Sequence, residues 1–333
     1  MHYFTMRYPG MKRKFMFENM TVHAIARASP DLYTHSHRKI APAIRFSILL
    51  FFSLMKYRFD VIDSNEFPHF PNFAVKLYAL LFPQTVFFST WHEQWSFYYW
   101  TTYLGFVGGM IGYVLQILSA KMPSLIIAVS EHTRTDLVRF GAIKEDRLRV
   151  VSNGIDYESI KAAVSDYRPQ KGTMVSVGRL IPEKRIDLLI ELFRYMKRND
   201  QSLKLTIVGG GPELSKLQAS IKDDSIEFTG FIQSHLDVLK HVVGASVFVS
   251  MSEREGFNIS ALEACEMGVP TYVRLVCFKH PNLFELTSET IKDIPQRLQE
   301  PSYPATELTK RYSWDVISES LESLFLKHLP TNG

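Results

Sequence analysis

"GTMVSVGRLIPEKRIDLLIELFRYMKRNDQSLKLTIVGGGPEL", Gly172–Leu214, changes its apolar period twice. The β-branched run GTMVSVG gives way to a charged loop, GRLIPEK. A stripe of Ile186, Leu189, Ile190, Phe193 and Met196 follows at helical spacing. A second apolar run, LKLTIVGG, then ends in glycines. Strand, helix and strand in this order form the unit of a parallel sheet, because the crossover helix must cover one of its faces.

The alternation extends in both directions. Upstream, strands are predicted at HYFTM, TVHAIA, FDVID, TVFFST, LIIAVS and LRVVSNG. Downstream they are predicted at IEFTG, SVFVSM and PTYVRLV, with helices at Gly211–Asp223, Ser234–Gly244 and across Glu263. Two such blocks meet at DYESIKAAVSDYRPQKG, a polar stretch without strand character, so the domain boundary is expected across residues 158–171. In open α/β sheets, ligands bind beyond the carboxyl ends of the strands. The loops to inspect are therefore GRLIPEK, GGGPE, TGF and SEREGF, each rich in glycine or charge.

Composition bounds the function. The chain has 333 residues, 46% hydrophobic and 22% charged, which fits a globular protein with a core. A net charge of +4 is too mild to point to nucleic acid, and none is expected as a partner. One local cluster, Arg7, Lys12, Arg13 and Lys14, reads either as a solvated loop or as contact with an anionic membrane surface. The two cysteines, Cys265 and Cys277, make neither a disulfide framework nor a metal-ligand spacing, which points to a reducing, cytoplasmic setting. No secretory signal is visible at the N-terminus.

Thr101–Ala120, TTYLGFVGGMIGYVLQILSA, carries no charge and holds two G-x-x-x-G pairs, Gly105/Gly109 and Gly108/Gly112. Strands on both sides read as members of one sheet, so a buried or surface-lying helix is expected rather than a spanning one. The aromatics before it, from Trp95 to Trp100, suit a headgroup interface or a core.

VGRLIPEKRIDLLI, LTIVGGGPEL, IEFTGFI and SEREGFNISALEACEMGVP occur in an order and at spacings that resemble the retaining GT-B glycosyltransferases of family four. TWHE, LIIAVSEHTRTDL and VSNGID resemble that family's first domain, and RYSWDVISESLESLF its terminal helix. The resemblance implies two Rossmann-like α/β domains whose parallel sheets face across a cleft. Residues 1–160 would bind the acceptor, 171–308 the nucleotide-sugar donor, and 309–333 would cross back to the first domain. It also implies a hexosyl-type sugar transfer with retention, in cell-envelope glycan or glycolipid synthesis. The donor is a nucleotide sugar, and the acceptor a glycan or lipid-linked sugar. The protein would be cytoplasmic, with contact to the inner membrane face.

The residues can be argued separately. A departing nucleoside diphosphate gathers negative charge, which a divalent metal or fixed cations must offset. Arg179 and Lys184, five apart at a strand end, supply two cations, so no metal and no cofactor are expected; the plain alternative is a pair of solvated loop cations. By resemblance Glu255 holds a hydroxyl of the donor sugar and Glu263 accepts from the ribose hydroxyls, a task carboxylates suit because one group can accept twice. The alternatives are a surface charge beside Arg254 and an S-x-x-E capping box from Ser260. Gly256 and Phe257 are expected to turn the backbone tightly and present amides to the donor, with Asn258 beside them in the donor site. Gly209 and Gly210, with Gly230 and Phe231, lie near the nucleotide by resemblance and read equally as structural turns. In the first domain the resemblance makes His92 the candidate at the reacting centre, able to donate to sugar oxygens or to exchange protons near neutrality, where a lone histidine at a strand end otherwise reads as a satisfied polar residue. Glu93 ranks below it.

The pattern also departs from the family. The chain opens on what looks like the second strand, without the first strand, helix and Gly-Gly loop. After GVPTYV no further strand is evident, and Arg185 stands where a glycine is common. These departures keep a non-catalytic nucleotide-binding partner or scaffold as a rival reading, with a nucleotide-sugar epimerase as another. A nicotinamide-dependent dehydrogenase is disfavoured, because G-x-G-x-x-G is missing.

Overall fold

The computed structural model describes residues 1–28, 33–34, 37–165, 168–299 and 310–329. The chain forms two compact units, Met1–Val151 with Ser320–Gly333, and Ser152–Glu319.

The first unit opens with β1 (His2–Arg7), β2 (Lys14–Phe17) and β3 (Met20–Arg27), then the short antiparallel pair β4 (Tyr33–Thr34) and β5 (His37–Arg38). It continues through α1 (Ala41–Leu54), β6 (Val61–Asn65), α2 (Phe70–Leu81), β7 (Val86–Trp91), α3 (Phe97–Lys121), β8 (Leu125–Ala128), α4 (Glu131–Gly141) and β9 (Leu148–Val150). β6 to β9 pair in sequence order as a parallel sheet. β1 and β3 pair in parallel in a separate sheet, and β2 adds to β3 antiparallel through the Glu18–Asn19 turn. β2 escaped the sequence reading because its four residues alternate only once between partly buried and exposed. Leu50 and Leu54 of α1 pack with Val75, Tyr78 and Phe87 into one core, while Phe88 takes Leu321, Leu324 and Phe325 from the C-terminal residues.

α3 is the most unusual element. Among the described residues it alone is long and apolar enough to cross a membrane by length and composition. It is not a straight rod. Gly105 sits at φ +73°, ψ 171°, which no helix allows, and the chain folds back there. A Cβ on Gly109 would lie 2.5 Å from the Thr101 backbone, and one on Gly112 would lie 2.4 Å from the Trp100 ring. In a straight helix Thr101 and Gly109 stand about 12 Å apart. The glycine pairs therefore let two legs of one chain approach each other, as small residues do between helices. The strands on either side settle the topology: Phe88 to Trp91 of β7 pair with Leu125 to Ala128 of β8. α3 is a crossover that returns to its own sheet, which is the surface-lying helix the sequence suggests. Phe106, Val107 and Ile111 stay more than half exposed on it.

The second unit holds α5 (Tyr157–Ser165), β10 (Gln170–Val177), α6 (Ile186–Lys197), β11 (Lys204–Val208), α7 (Leu214–Ser220), β12 (Ile226–Gly230), α8 (His235–Val243), β13 (Ala245–Ser250), α9 (Ile259–Glu266), β14 (Thr271–Val273), β15 (Leu283–Glu285) and α10 (Ile294–Gln299). α11 (Trp314–Lys327) starts in it and ends among the residues of the first unit. All six strands are parallel, in the order β12-β11-β10-β13-β14-β15. The predicted stripe of α6 is its buried face: Ile186, Leu189, Ile190, Phe193 and Met196 join Leu205, Ile207, Val247 and Tyr272 in the core. Burying each such side chain stabilises by about 1.5–3 kcal/mol before entropy is counted.

Two expectations shift. The units divide at Val151 and Ser152, ahead of residues 158–171, because Tyr157–Ser165 is a helix that buries Ile160 and Ala163 and packs on α8. The limit at 308/309 lies outside the described residues. A short strand, β15, does follow GVPTYV and pairs with β14, though its three residues are too few to carry a period. Gly154 of VSNGID lies under Trp314: an added Cβ would stand 2.5 Å from the indole.

Replacing Gly109 by Leu is expected to destabilise the protein by about 1–3 kcal/mol, since backbone lies in the way. Val107→Ala, at an exposed position on the same helix, should stay within about 0.5 kcal/mol. Urea unfolding midpoints of the two variants check the fold-back at Gly105, and equal midpoints would contradict it.

Candidate active site

In the second unit the strand order reverses between β10 and β13. Loops leaving the carboxyl ends of those two strands diverge to opposite sides of the sheet and leave a crevice between them, the usual ligand position in this architecture. The sequence places Arg179 and Lys184 on the first loop and Glu255 on the second.

Local chemistry fixes both loops. After β10, Pro182–Lys184 makes one tight turn, and Arg185 takes the left-handed conformation at φ +47° before α6 begins. That conformation explains why a glycine is common at this place, since a side chain there is strained. Arg185 offsets the strain with a fork of bonds, Nη2 to Asp187 Oδ2 at 2.8 Å and Nη1 to Glu253 Oε2 at 3.2 Å. Asp187 lies below its ordinary pKa chiefly because Arg185 donates to it. The Glu253 amide donates to the Glu183 carbonyl at 3.0 Å, so the two loops are joined through backbone as well.

The second loop ends at Asn258, φ +61°, which caps α9 by accepting from the Ala261 amide at 3.2 Å and donates to Ser250 at 3.3 Å. The tight turn thus falls on Asn258 and not on Gly256, which has no left-handed φ. Asparagine tolerates that region because its amide bonds locally. Phe257 is buried against Phe278 and Tyr312, an anchor for the loop. Gly256 is buried beside it.

Lys184 Nζ donates to Glu255 Oε1 at 2.5 Å, with the glutamate side chain 10% exposed and the lysine side chain 24%. Glu255 is therefore no surface charge. Arg179 stands exposed on the same loop as Lys184. Glu263 is buried on α9 and takes His235 Nε2 at 2.9 Å. The capping-box reading fails here, because Asn258 caps the helix and Glu263 lies beyond its first turn. His235 opens α8 behind a Ser234 cap, and its pKa is raised by the bond to Glu263 and then by the charges of Glu263 and Asp156. The Ser234-x-x-Asp237 pattern marks that helix start in the sequence. Which helix His235 faces is not encoded locally.

The glycine loops make tight turns against the first loop. Gly209 (φ +139°) and Gly211 (φ +158°) pass so close to the first loop that a Cβ would stand 2.0 Å from the Gly178 carbonyl and 2.3 Å from that of Leu180. The Gly209 amide donates to Gly230 O at 3.0 Å, and Gly210 O accepts from Leu180 at 2.9 Å. Gly210 backs onto Phe231, which is 81% exposed.

In the first unit, His92 follows β7 with its ring open to solvent, while the surrounding protein disfavours its charged form and lowers its pKa. Its carbonyl accepts from the Thr133 hydroxyl at 3.1 Å. Glu93 accepts from the Trp95 indole at 3.1 Å. The sequence did not single out Glu66. It is buried under the His92–Glu93 turn, accepts from the Glu93 amide at 3.4 Å, and burial pushes its pKa up to about 8. His69 nearby is pushed down to about 4 by burial. Both lie at the end of β6, so position after a strand was their one signal. Among the described residues, no group of three or more His, Cys, Asp or Glu is placed to hold a metal ion. Cys265 and Cys277 are buried thiols, and neither is part of a disulfide among the described residues.

Two family models match the chain, Glycosyltransferase Family 4 over residues 1–159 and Glycosyl transferases group 1 over residues 160–280. The sulfoquinovosyl transferase SQD2 of Arabidopsis thaliana is 27% identical over 159 residues, 45% of this chain and 30% of that protein. The alpha-monoglucosyldiacylglycerol synthase of Streptococcus pneumoniae is 28% identical over 180 residues, 49% of this chain and 39% of that protein. Each match thus spans well under half of the relative's own length. Among solved structures, Anabaena Alr3699/HepE in complex with UDP superposes with a TM-score of 0.64 at 14% identity, covering 88% of this chain and 85% of its own. At that identity the likeness is one of fold, and the fold is GT-B.

The His235–Glu263 pair carries a pH signature. A raised folded-state pKa means that the pair stabilises fully below the unfolded pKa of about 6.5, and that this stabilisation is lost as pH rises through the folded value. The stability gap between wild type and His235→Gln should therefore be larger at pH 5.5 than at pH 9. Thermal melts at the two pH values check this, and a gap that does not change would refute the pairing.

Proposed function

Because the chain belongs to the glycosyltransferases of family 4, we propose that it transfers a hexose from a nucleotide-sugar donor to a lipid-linked or glycan acceptor, with retention of configuration. The observation that carries the donor assignment is the part-buried Lys184–Glu255 pair at the reversal of strand order. A lysine ammonium has three donors, and Glu255 takes one of them. The others are available to the oxygens of a departing diphosphate, with Arg179 adding charge from the same loop. Fixed cations offset the growing anion in this scheme without a metal ion.

Glu255 orients the sugar through a hydroxyl and holds Lys184 in place. Glu263 spends Oε1 on His235, which leaves Oε2 for the ribose hydroxyls. On the acceptor side His92 is proposed as the group beside the reacting sugar. Its lowered pKa keeps it neutral near pH 7, able to donate from one nitrogen and accept at the other. Support for a nucleoside diphosphate comes from the UDP bound to HepE, and support for a lipid acceptor from the diacylglycerol in the synthase's name. The exposed apolar face of α3 fits work at a membrane surface, on the cytoplasmic side.

Glu255→Gln and Lys184→Ala should each lower transfer at least tenfold, about 1.4 kcal/mol of barrier. Because the two side chains touch, the double variant should lose less than the product of the single losses. The assay is release of nucleoside diphosphate on addition of acceptor. Wild-type rates in both single variants would remove the donor assignment.

A further inference from the structure

The mild net charge of the chain hides a strong local imbalance. Residues 1–58 contain ten Lys and Arg against two Asp and Glu, whereas the remainder carries 28 against 32. The fold concentrates this excess. Between α1 and the β1–β3 sheet lies an open cavity of about 590 Å³, lined by Arg7, Arg13, Arg27, Arg45, Lys56 and Ser53 among others, with no acidic side chain on its wall.

These cations come from four separate places in the sequence. Arg7 and Arg27 end β1 and β3 and are register partners across the parallel pair. Like charges directly opposed on neighbouring strands destabilise a sheet. Arg13 immediately precedes β2, and its carbonyl accepts from the Ala24 amide at 2.9 Å. Arg45, Leu49 and Ser53 follow each other at four-residue spacing along one face of α1, and Lys56 continues that face just past the helix end. Among the described residues none of the five cations makes an ion pair. Lys12 and Lys14, which the sequence groups with Arg7 and Arg13, do not line the cavity. His23 on β3 registers the same field: burial first, then the charges of His2, Lys14 and Lys56, lower its pKa.

Five unpaired cations converging on one concavity repel each other unless an anion joins them. Solvated surface arginines spread apart, since their long side chains gain entropy and lose repulsion by doing so. We propose that this cavity is a phosphate-binding site, taking the phosphate mono- or diester of a lipid headgroup or of a soluble phosphorylated compound. Arginine suits such a ligand because its planar fork donates two parallel bonds to phosphate oxygens. The Ser53 hydroxyl, now donating to Leu49 O at 2.7 Å, adds a polar contact on the helix side. Ile48 and Phe52, more than half exposed on the same helix, would meet the apolar part of a lipid. The site stands independently of the sugar-transfer reading.

The test uses the full chain in about 0.15 M salt, where exposed charges are screened beyond about 8 Å. One arm measures the melting temperature against sodium pyrophosphate, in a Lys184→Ala background so that the proposed donor site does not contribute. The other measures co-sedimentation with phosphatidylglycerol-containing vesicles and with pure phosphatidylcholine vesicles. Arg27→Gln/Arg45→Gln should weaken binding at least tenfold in the arm that detects it, and should melt no lower than its parent without ligand, because repulsion is relieved. The surface pair Lys222→Gln/Lys292→Gln removes the same charge elsewhere and should change binding less than twofold. Should the double variant fail to fold, Lys56→Gln alone carries the comparison. Saturable stabilisation by pyrophosphate alone identifies a soluble phosphate compound, and selective binding to anionic vesicles identifies a lipid headgroup. Binding in neither arm overturns the proposal, as does an equal loss in the surface pair.

Discussion

The carboxyl ends of β10 and β13 are where the second unit concentrates its charge. Strand order reverses there, the position at which open α/β sheets bind their ligands. Lys184 and Glu255 meet there at 2.5 Å, with Glu255 buried and Lys184 partly so. A charge pair taken out of solvent is costly unless it is well bonded, and removing one partner costs more than the pair contributes. The surrounding loops exist to hold it: Arg185 and the Glu183–Glu253 backbone bond tie them together, and Asn258 and Phe257 pin the second from behind.

That arrangement explains residues that look out of place. An arginine in a left-handed conformation is strained, yet the same backbone turn directs its guanidinium to Asp187 and Glu253 at once. Gly209 and Gly211 of GGGPEL are needed for clearance from the Gly178 and Leu180 carbonyls. His235 gives Glu263 a partner from another helix, which holds one carboxylate oxygen and leaves the other.

The first unit solves a different problem. Its most apolar segment would be insoluble as a free rod, and the fold-back at Gly105 hides part of it against itself. What stays exposed lies on α3, while five of the ten Lys and Arg of the first 58 residues line one cavity beside α1. Apolar and cationic surface on one unit is the combination that suits a lipid–water boundary.

Much of the fold was legible without coordinates. Period alone marked ten strands beyond GTMVSVG closely enough to place them, and the stripe on α6 named its own buried face, because burial selects residues at the spacing of the element. Position after a strand marked Arg179, Lys184, Glu255 and His92 as site candidates. What the sequence could not fix depends on partners distant along the chain. His235 joins Glu263 across 28 residues, Lys184 joins Glu255 across 71, and the Arg7 cavity draws on residues as far as Lys56. Short elements such as β2 and β15 carry too few residues to show a period. The twenty uncharged residues of Thr101–Ala120 read alike for a membrane span and a folded crossover, since hydropathy records solvent preference and not direction. The left-handed glycine and the register of β7 with β8 decided that question, and both are properties of the backbone in three dimensions.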